Sequence, residues 1–337
     1  MKIAIHDSPG SFSKYWIEYC EKNSIQYKIV NAYSNDLVKN IEDCDVFMWH
    51  HHHGDYRDVL FAKQLLYSLQ ASGKKVFPDY NTCWHFDDKL GQKYLLESIA
   101  APIVPSHVFY TKHEALDWLE TVDLPLVYKL RGGAGAANVK LVKTKRHAKN
   151  LINKSFGRGV SQFNRFSYLN ECYKKWRYGD GSFISILKGI YRFFVSTEYS
   201  RMHPKEKGYI YFQDFIPQND TDYRIKVVDG KCWGFQRGVR QGDFRASGSG
   251  NLIFDSNKIP LSMVKIAQEV AKNLSLQSVA FDFIENKATG EYLIIEMSYG
   301  FGFDDNERIN GYWDEDLNWH AEEFNPFEWM IQGLLRH

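Results

Sequence analysis

Short apolar runs alternate with amphipathic segments along the first 85 residues of the chain. The runs predict strands, and the segments between them, whose apolar residues recur with helical spacing, predict helices. In chain order these are KIAIH (strand), SKYWIEYCEK (helix), YKIVNA (strand), NDLVKNIEDC (helix), DVFMWH (strand), DVLFAKQLLYSLQASG (helix) and KKVFPD (strand). This alternation predicts a parallel sheet with helices on its faces, and such open sheets bind ligands beyond the carboxyl ends of their strands.

Four consecutive histidines, His50–His53, follow the third predicted strand. Neighbouring side chains of an extended chain point to opposite faces, so the four imidazoles cannot all reach one ion. A zinc site also usually takes its ligands from more than one segment or from helical i, i+4 spacing. We therefore favour a strand end that packs against its surroundings, or that lines a cleft with one or two histidines, over a metal site.

A glycine-rich segment, RGGAGAANV, joins the predicted strands PLVYKL and VKLV. Glycine frees successive backbone N–H groups to face an anion such as phosphate. The segment lacks the Gly-Lys-Ser/Thr sequence of a P-loop, so a glycine hairpin without a ligand remains an alternative. Two cations are candidates for neutralising phosphate oxygens: Lys129, two residues before the segment, and Lys93, on a helix whose first turn we expect to be acidic. Either lysine alone is equally typical of a solvated surface.

Two carboxylates interrupt apolar strands further along the chain. Asp282 lies in SVAFDFIEN and Glu296 lies in EYLIIEMSYG, which we predict to be neighbouring strands. A buried carboxylate is costly unless it is paired or holds a cation. With Ser298 these groups form an oxygen-rich cluster suited to Mg²⁺, and the alternative is a carboxylate paired with an arginine. The chain between the glycine-rich segment and the two carboxylates supplies cations able to hold phosphoryl and carboxylate oxygens, namely Arg224, Lys226, Arg237, Arg240 and Arg245.

The overall charge indicates no particular class of partner. The 42 Lys and Arg residues nearly balance the 41 Asp and Glu residues, so no global field attracts nucleic acid. The five cysteines are scattered without Cys-x-x-Cys spacing, the first residues lack the features of a signal peptide, and no apolar run approaches the ~20 residues of a membrane span. We expect a cytoplasmic protein with reduced thiols.

Residues 150–208 differ from the rest of the chain because they are rich in aromatic and basic residues. A helix with apolar residues near helical spacing is predicted around Phe183–Phe194. One interpretation is a lid helix that packs against its own domain. The others are a surface that meets an anionic or glycan-bearing acceptor, or one that rests on a membrane; no nucleic-acid-binding module is present.

The order of these features resembles that of the ATP-grasp superfamily over roughly residues 85–305. Lys93 comes first, then a strand, Lys129 and the glycine flap, the apolar segment YFQDFI, Asp222-x-Arg224, GDFR, and the two carboxylates. Within the superfamily, this order is most similar to that of the branch that contains the ribosomal-protein glutamate ligases. The resemblance implies an α/β and α+β fold in which an N-terminal parallel-sheet domain precedes a two-lobed ATP-grasp fold with ATP between the lobes. We place the N-terminal domain at residues 1–85, the small lobe and lid at 86–212, and the C-terminal lobe at 213–337.

The same resemblance implies roles for individual residues. Lys93 and Lys129 would hold the α- and β-phosphates, while Asp282 and Glu296 would hold two Mg²⁺ ions. Ser298 stands where the family commonly has asparagine, which is a departure at the second ion. The remaining nucleotide contacts would come from the flap, the adenine-contacting hinge and the ribose position, comprising Gly132, Gly133, Ala134, Gly135, Gln213, Asp214, Phe215, Ile216 and Gln218.

The chemistry implied by the resemblance is carboxylate activation. ATP phosphorylates a carboxylate, and an amine then displaces phosphate to give an amide; Arg224, Arg240 and Arg245 would stabilise the transferred charge. The expected partners are a small-molecule or glycan carboxylate, such as a sugar acid, and an amine, with an oligomer and peripheral membrane contact left open. The alternatives are an ATP-binding scaffold without turnover, which the Ser298 departure favours, and a kinase acting on an alcohol.

Overall fold

The computed structural model describes residues 1–133, 138–162, 169, 172–173, 176–177, 182–194, 201–202, 204–239, 244–246 and 250–336. Two units divide the chain. The first unit comprises Met1–Phe86, Leu96–Pro102 and Gln218–His337, and the second comprises Asp87–Leu95 and Ile103–Pro217.

A four-stranded parallel sheet begins the first unit and confirms the predicted alternation. Its strand order is β2-β1-β3-β4, with β1 at Ile3–His6, β2 at Tyr27–Val30, β3 at Val46–Met48 and β4 at Lys75–Phe77. The accompanying helices are α1 (Ser13–Lys22), α2 (Leu37–Asn40), α3 (Tyr56–Ala71) and α4 (Tyr80–Cys83). Strands β1 and β3 are buried along their whole length, which accounts for their uninterrupted apolar sequence.

Two details of the first 85 residues differ from the sequence prediction. Helix α2 has only four residues, because the chain after Asn40 continues in turns closed by the Glu42 N–H to Lys39 oxygen and Cys44 N–H to Ile41 oxygen bonds. Helix α3 begins two residues earlier than predicted, at Tyr56 rather than Asp58, because the Asp55 side chain accepts the Arg57 N–H and so caps the first turn.

A larger antiparallel sheet completes the first unit. Its strand order is β13-β12-β9-β10-β14-β15, and β11 pairs with β10. The strands are β9 (Thr221–Val228), β10 (Lys231–Gly238), β11 (Leu252–Ile253), β12 (Ser278–Asn286), β13 (Glu291–Ser298), β14 (Tyr312–Trp313) and β15 (Trp319–His320). Helix α9 (Leu261–Asn273) packs on β9, β10 and β12 through buried residues such as Met263 and Val264, and helix α10 (Pro326–Arg336) packs on α1.

The second unit contains a four-stranded sheet of order β5-β8-β6-β7. The strands are β5 (Ser106–Phe109), β6 (Leu126–Lys129), β7 (Lys140–Val142) and β8 (Ile210–Asp214). The helices are α5 (Lys89–Ser98), of which the part up to Leu95 belongs to this unit, α6 (Lys112–Thr121), α7 (Lys145–Phe156) and α8 (Phe183–Phe194). Strands β6 and β7 form an antiparallel pair, so the glycine-rich segment does join two strands, as the sequence predicts. Helix α5 has no acidic residue in its first turn, contrary to expectation. Asp88 instead precedes the helix, and its carboxylate accepts the Gly91 N–H at 3.0 Å.

Within the described residues, no helix combines the length and the apolar character needed to cross a membrane.

Candidate active site

One face of the antiparallel sheet in the first unit gathers the charged residues singled out in the sequence. Arg224 of β9 lies directly opposite Asp282 of β12, and Asp282 lies directly opposite Glu296 of β13. Two residues further along β13, Ser298 lies opposite Ala280. Because side chains alternate between the faces of a strand and directly opposed residues share a face, Arg224, Asp282, Glu296 and Ser298 all project from the same side of the sheet.

Asp282 is held by two arginines. Arg224 donates from Nε to Oδ1 at 2.7 Å and from Nη2 to Oδ2 at 2.9 Å, and Arg237 donates from Nη2 to Oδ2 at 2.8 Å. Arg237 also makes a two-point contact with Asp222, at 2.7 Å for each bond. The four side chains therefore form a continuous ionic row, Asp222–Arg237–Asp282–Arg224. This is the arginine-paired alternative for Asp282, and its role as a metal ligand stays a prediction.

The ionic row affects the two carboxylates in opposite ways. Burial would raise the pKa of Asp282, but the adjacent Arg224 and Arg237 guanidinium groups outweigh burial and hold this pKa below its ordinary value. Burial raises the pKa of Asp222, whose main partner is Arg237 alone. Asp282 is thus the carboxylate whose negative charge the two arginines stabilise most.

The oxygen atoms on this face match the ligands that Mg²⁺ prefers. The half-buried side chains of Glu296 and Ser298 occupy successive positions on one face of β13, and Asp282 lies opposite Glu296. Mg²⁺ in proteins is commonly held by one or two carboxylates and completed by waters and substrate phosphates. Among the described residues there is no group of three or more His, Cys, Asp or Glu side chains placed to hold an ion by themselves. The role of these oxygens as metal ligands stays a prediction.

A buried lysine anchors the chain that follows β13. Lys226 of β9 is fully buried, and its Nζ donates to both carboxylate oxygens of Glu307, at 2.8 and 2.6 Å, and to the Gly302 carbonyl at 2.7 Å. The Trp233 indole N–H also donates to Glu307, at 2.7 Å. Burial lowers the pKa of Lys226 to about 8 despite the Glu307 charge. These contacts tie the strand that carries Arg224 to the loop that leaves Ser298.

The histidine run packs at the end of β3 in the same unit. The His50 ring stacks on Phe12 with ring centroids 3.6 Å apart, and its Nδ1 accepts the Phe12 N–H at 3.2 Å. The Tyr299 hydroxyl, one residue beyond Ser298, donates to the His51 carbonyl at 2.6 Å. Burial lowers the pKa of His50 to about 3 and that of His51 well below its ordinary value. The run therefore includes two neutral, packed histidines that support the segment after β13.

A buried polar network surrounds Lys129 in the second unit. Lys129, at the end of β6, is 5% exposed, and its Nζ donates to the Gln213 side-chain oxygen at 2.6 Å. Gln213 donates in turn to the Ser106 hydroxyl at 3.1 Å, and so does Tyr211 at 2.9 Å. Lys129 and Gln213, 84 positions apart in the chain, are thus brought together by the pairing of β6 with β8.

The glycine-rich turn after β6 is fixed by charged residues. The Gly133 N–H donates to Asp87 at 2.8 Å, the Gly132 N–H donates to Glu206 at 3.4 Å, and Lys89 Nζ donates to the Gly133 carbonyl at 2.9 Å. A Cβ at Gly132 would lie 2.8 Å from the Gln162 side-chain nitrogen and 3.1 Å from Asp87, and Gly133 has a φ of +110°. The positive φ favours glycine at Gly133, a Cβ at Gly132 would displace the ends of the Gln162 and Asp87 side chains, and both N–H groups face anionic oxygens.

Four other predicted nucleotide contacts of the second unit lie a few residues along the chain from Lys89 or from Gln213. Lys93 is half-buried on α5, with Nζ 4.6 Å from the centroid of the Tyr94 ring. Asp214 ends β8 and pairs with His107 at 3.0 Å, and the half-buried Phe215 and Ile216 follow it.

The remaining predicted residues belong to the first unit or lie outside the described residues. Gln218 begins a segment of the first unit, is exposed and has a φ of +64°. Arg245 is half-buried, with its guanidinium 5.9 Å from the centroid of the Phe244 ring. Ala134, Gly135 and Arg240 lie outside the described residues.

Solved structures share this architecture across the chain. The RimK-domain ATP-grasp protein from Sphaerobacter thermophilus aligns over 100% of this chain and 100% of its own, with a TM-score of 0.56 and 13% identity. D-alanine–D-alanine ligase from Bacillus anthracis, solved with ATP, aligns over 100% of this chain and 98% of its own, with a TM-score of 0.54 and 15% identity. The chain has the ATP-grasp fold.

A third structure with this fold carries nucleotide and metal. The biotin carboxylase domain of the 2-oxoglutarate carboxylase from Hydrogenobacter thermophilus, solved with MgADP, ADP and bicarbonate, aligns over 100% of this chain and 70% of its own, with a TM-score of 0.59 and 11% identity. No protein-family model and no curated protein sequence matches the chain. The ATP-grasp likeness is therefore one of three-dimensional structure, and the sequence resemblance to the superfamily agrees with it.

The sequence did not indicate the contacts of several residues that hold the glycine turn or the ionic row. Lys89 precedes Lys93 by four residues, so helical spacing was an available signal for it. Asp87 and Glu206 had no such signal, because they reach the glycine turn from 46 and 74 positions away in the chain. Arg237 was grouped with other cations, and only strand pairing reveals that it links Asp222 to Asp282.

Proposed function

We propose that the protein is an ATP-dependent carboxylate–amine ligase. The observation that carries the proposal is the shared sheet face on which Arg224, Asp282, Glu296 and Ser298 lie within an ATP-grasp fold. A structure with this fold, D-alanine–D-alanine ligase, is named for a ligase reaction and was solved with ATP. The identity is low, so the reaction is inferred from the side chains present as well as from the fold.

The second unit supplies the groups proposed to bind ATP. Lys93 and Lys129 would neutralise phosphate oxygens, and Gly132 and Gly133 would turn backbone N–H groups toward them. In the structure these N–H groups donate to Glu206 and Asp87, so on binding ATP they would exchange these carboxylates for phosphate oxygens. Gln213 and Asp214, with the two residues after them, would contact the adenine, while Ala134 and Gly135 would belong to the flap. Gln218, which belongs to the first unit, is the proposed ribose contact.

The first unit supplies the groups proposed to manage the transferred phosphoryl charge. Glu296 and Asp282, with Ser298, would hold Mg²⁺, which when bound neutralises phosphate oxygens and draws charge from the leaving ADP. Arg224, Arg240 and Arg245 would orient the acceptor carboxylate and the γ-phosphoryl oxygens by forked hydrogen bonds. Asp282 would first exchange part of its arginine contact for the metal, which keeps its carboxylate paired with positive charge throughout.

The proposed reaction has two balanced steps. A carboxylate oxygen of the acid attacks the γ-phosphorus of ATP, the bond to the β-phosphate oxygen breaks, and ADP leaves with that electron pair. The amine nitrogen then attacks the acyl carbon, phosphate leaves with one original carboxylate oxygen, and the amine loses a proton to solvent. Neither step requires a nucleophilic side chain of the protein, so positioning and charge neutralisation suffice.

The test is the release of ADP and free phosphate from Mg²⁺-ATP. Purified protein is incubated with pooled carboxylic acids, including uronic acids and amino acids, with and without pooled amines. The same assay is run on Glu296→Gln and on the matched control Glu291→Gln, which alters an exposed carboxylate of the same strand. The ligase proposal predicts release that requires both pools, is lost in Glu296→Gln and is retained in Glu291→Gln.

The other outcomes identify the alternatives. ADP formed while phosphate stays on an alcohol acceptor would indicate a kinase. ATP binding without ADP release from any pool would indicate a scaffold. The uronic acids are included because a sugar acid or surface-glycan precursor is among the acids we propose.

The domain boundaries and the compartment complete the proposal. We propose an N-terminal domain at residues 1–85, a small lobe with its lid at 86–212 and a C-terminal lobe at 213–337. All five cysteines are buried thiols, and this supports a reducing compartment such as the cytoplasm.

A further inference from the structure

Helix α8 of the second unit exposes a continuous apolar stripe. The exposed fractions are 61% for Ile184, 52% for Leu187, 45% for Ile190 and 63% for Tyr191. At the ~100° per residue of an α-helix, these four positions fall within an arc of about 120°. Ser185 and Ile186, which point elsewhere, are half-buried. The stripe therefore faces away from the body of the unit.

Further exposed apolar side chains come from the chain on either side of α8. Tyr173 and Trp176 precede the helix and are 45% and 44% exposed, and Met202 follows it and is 50% exposed. Scattered exposed apolar residues are normal on protein surfaces, but a contiguous stripe of them along a helix marks an interaction surface. We call the described residues 173, 176–177, 182–194 and 201–202 the α8 segment.

The α8 segment lies in the most basic part of the chain. Residues 154–207 contain 11 Lys and Arg and 4 Asp and Glu, a net charge of +7, whereas the whole chain has a net charge of +1. Exposed cations border the stripe in the chain at Arg158, Arg177, Arg201, Lys205 and Lys207. The acid that the structure describes within residues 154–207, Glu206, accepts hydrogen bonds from Gln162 and Tyr209. The exposed charges that the structure describes within residues 154–207 are therefore all positive.

We infer that the α8 segment binds the surface of an anionic lipid membrane. An apolar helical stripe bordered by cations matches a bilayer interface, because the stripe enters the acyl boundary while the cations remain at the anionic headgroups. A helix of 12 residues is ~18 Å long, shorter than the ~30 Å hydrocarbon core, so it lies along the surface.

Charge and chemistry select this partner over two others. A second copy of the chain would place one basic surface opposite another, and like charges oppose such contact. Single-stranded nucleic acid would meet the cations and could stack on Tyr173, Trp176 and Tyr191, but it would leave the aliphatic side chains Ile184, Leu187 and Ile190 without an apolar partner. An anionic lipid surface satisfies the cations and the aliphatic residues together.

The test is co-sedimentation of the full chain with phospholipid vesicles. Vesicles of phosphatidylcholine alone are compared with vesicles that also contain phosphatidylglycerol, at low and high salt. The intact protein is expected to bind the phosphatidylglycerol vesicles, to bind them less at high salt, and to bind phosphatidylcholine weakly. Leu187→Glu is expected to lower the vesicle partition coefficient by about tenfold or more, because it places a charge at the acyl boundary.

A matched control separates the α8 segment from surface hydrophobicity in general. Leu60→Glu makes the same change at a residue of α3 that is 71% exposed, and it should leave vesicle binding unchanged. Failure of the intact protein to bind phosphatidylglycerol vesicles, equal binding to both vesicle types, or equal effects of the two substitutions would overturn the inference. A dimer that Leu187→Glu dissociates, without vesicle binding, would overturn it in favour of self-association.

A second measurement does not depend on how Leu187→Glu folds. The five native cysteines are buried, so Ile184→Cys offers one exposed thiol for an environment-sensitive fluorophore. The inference predicts a blue shift of the label on addition of phosphatidylglycerol vesicles, and an unchanged spectrum would contradict it. Neither measurement involves ATP turnover, so the membrane inference and the ligase proposal can fail independently.

Discussion

Asp282 lies directly opposite Glu296 across the antiparallel pair β12–β13, and both carboxylates leave the same face of the sheet. Their surroundings differ: Asp282 accepts hydrogen bonds from both Arg224 and Arg237, whereas Glu296 is half-buried at the edge strand of the sheet. Two opposed carboxylates of unequal environment suit different tasks. We expect Asp282 to contribute strongly to stability and Glu296 to contribute mainly to activity.

The stability of the first unit should depend on Asp282. Asp282→Asn removes the negative charge between two arginines and leaves their guanidinium groups under-compensated in a buried location. We expect a loss of about 3 kcal/mol in the free energy of unfolding, measured by urea denaturation. Glu291→Gln on the same pair of strands should change this free energy by less than about 0.5 kcal/mol. Equal effects of the two substitutions would show that the ionic row is not stabilising.

The buried pair Lys226–Glu307 should show strong coupling. Lys226→Met leaves the Glu307 carboxylate without its cation inside an aromatic environment, and we expect a loss of about 3–5 kcal/mol in the free energy of unfolding. Adding Glu307→Gln removes the uncompensated charge and should restore part of this loss. Urea denaturation of both single variants and of the double variant measures the coupling. A double variant as unstable as the sum of the single variants would contradict the assignment.

ATP affinity should depend on Lys129. Lys129→Met removes a buried cation whose Nζ lies 2.6 Å from the Gln213 oxygen, in the network proposed to contact phosphate and adenine. We expect the Kd for ATP to rise by about tenfold or more, measured by isothermal titration calorimetry. Lys112→Met, at an exposed lysine of α6, is the matched control and should leave the Kd unchanged. An unchanged Kd in Lys129→Met would place the nucleotide elsewhere.

Acid should destabilise the protein through its buried histidines. Burial lowers the pKa of His50 and of His85 to about 3, and that of His51 well below the ordinary value of 6.5. Between pH 6.5 and about 3 the unfolded chain binds protons that the folded chain does not, so the free energy of unfolding falls as the pH falls through this range.

The contribution of one histidine can be isolated. His51→Phe keeps a ring against Tyr299 and removes one titrating group, so the slope of the free energy of unfolding against pH should decrease by about one proton near pH 5. Urea denaturation at a series of pH values below 6.5 measures both slopes. Identical slopes in the variant and the intact protein would mean that His51 is protonated in the folded state.

Sequence patterns predicted the elements of the fold better than the contacts between them. Alternation of strands and helices was sufficient for the parallel sheet, and the two apolar strands interrupted by Asp282 and Glu296 were correctly placed side by side. Strand periodicity defines which side chains share a face of one strand, but the pairing between strands depends on turn lengths and on the irregularity after Asp282. For this reason the contact of Arg237 with Asp282 could not be read from the sequence.

The same limit applies to the candidate site, whose residue roles stay predictions. The glycine turn and Lys129 stood out because their residue types are unusual at the end of an apolar strand. Asp87 and Glu206 did not, because surface loops commonly contain acidic residues and the contacts of these two depend on distant parts of the chain. The four histidines form one run in the sequence, but their environments differ, since His50 and His51 are buried in the core while His53 is half-buried.

The most direct test of the ligase account follows one oxygen atom. The acid that supports turnover is labelled with ¹⁸O in its carboxylate, and the released phosphate is analysed by mass spectrometry. The account predicts that each phosphate carries one labelled oxygen, because phosphate leaves with an original carboxylate oxygen. It also predicts that Glu296→Gln slows this release by of the order of a hundredfold while Glu291→Gln does not. Unlabelled phosphate, or labelled phosphate formed equally fast by Glu296→Gln, would contradict it.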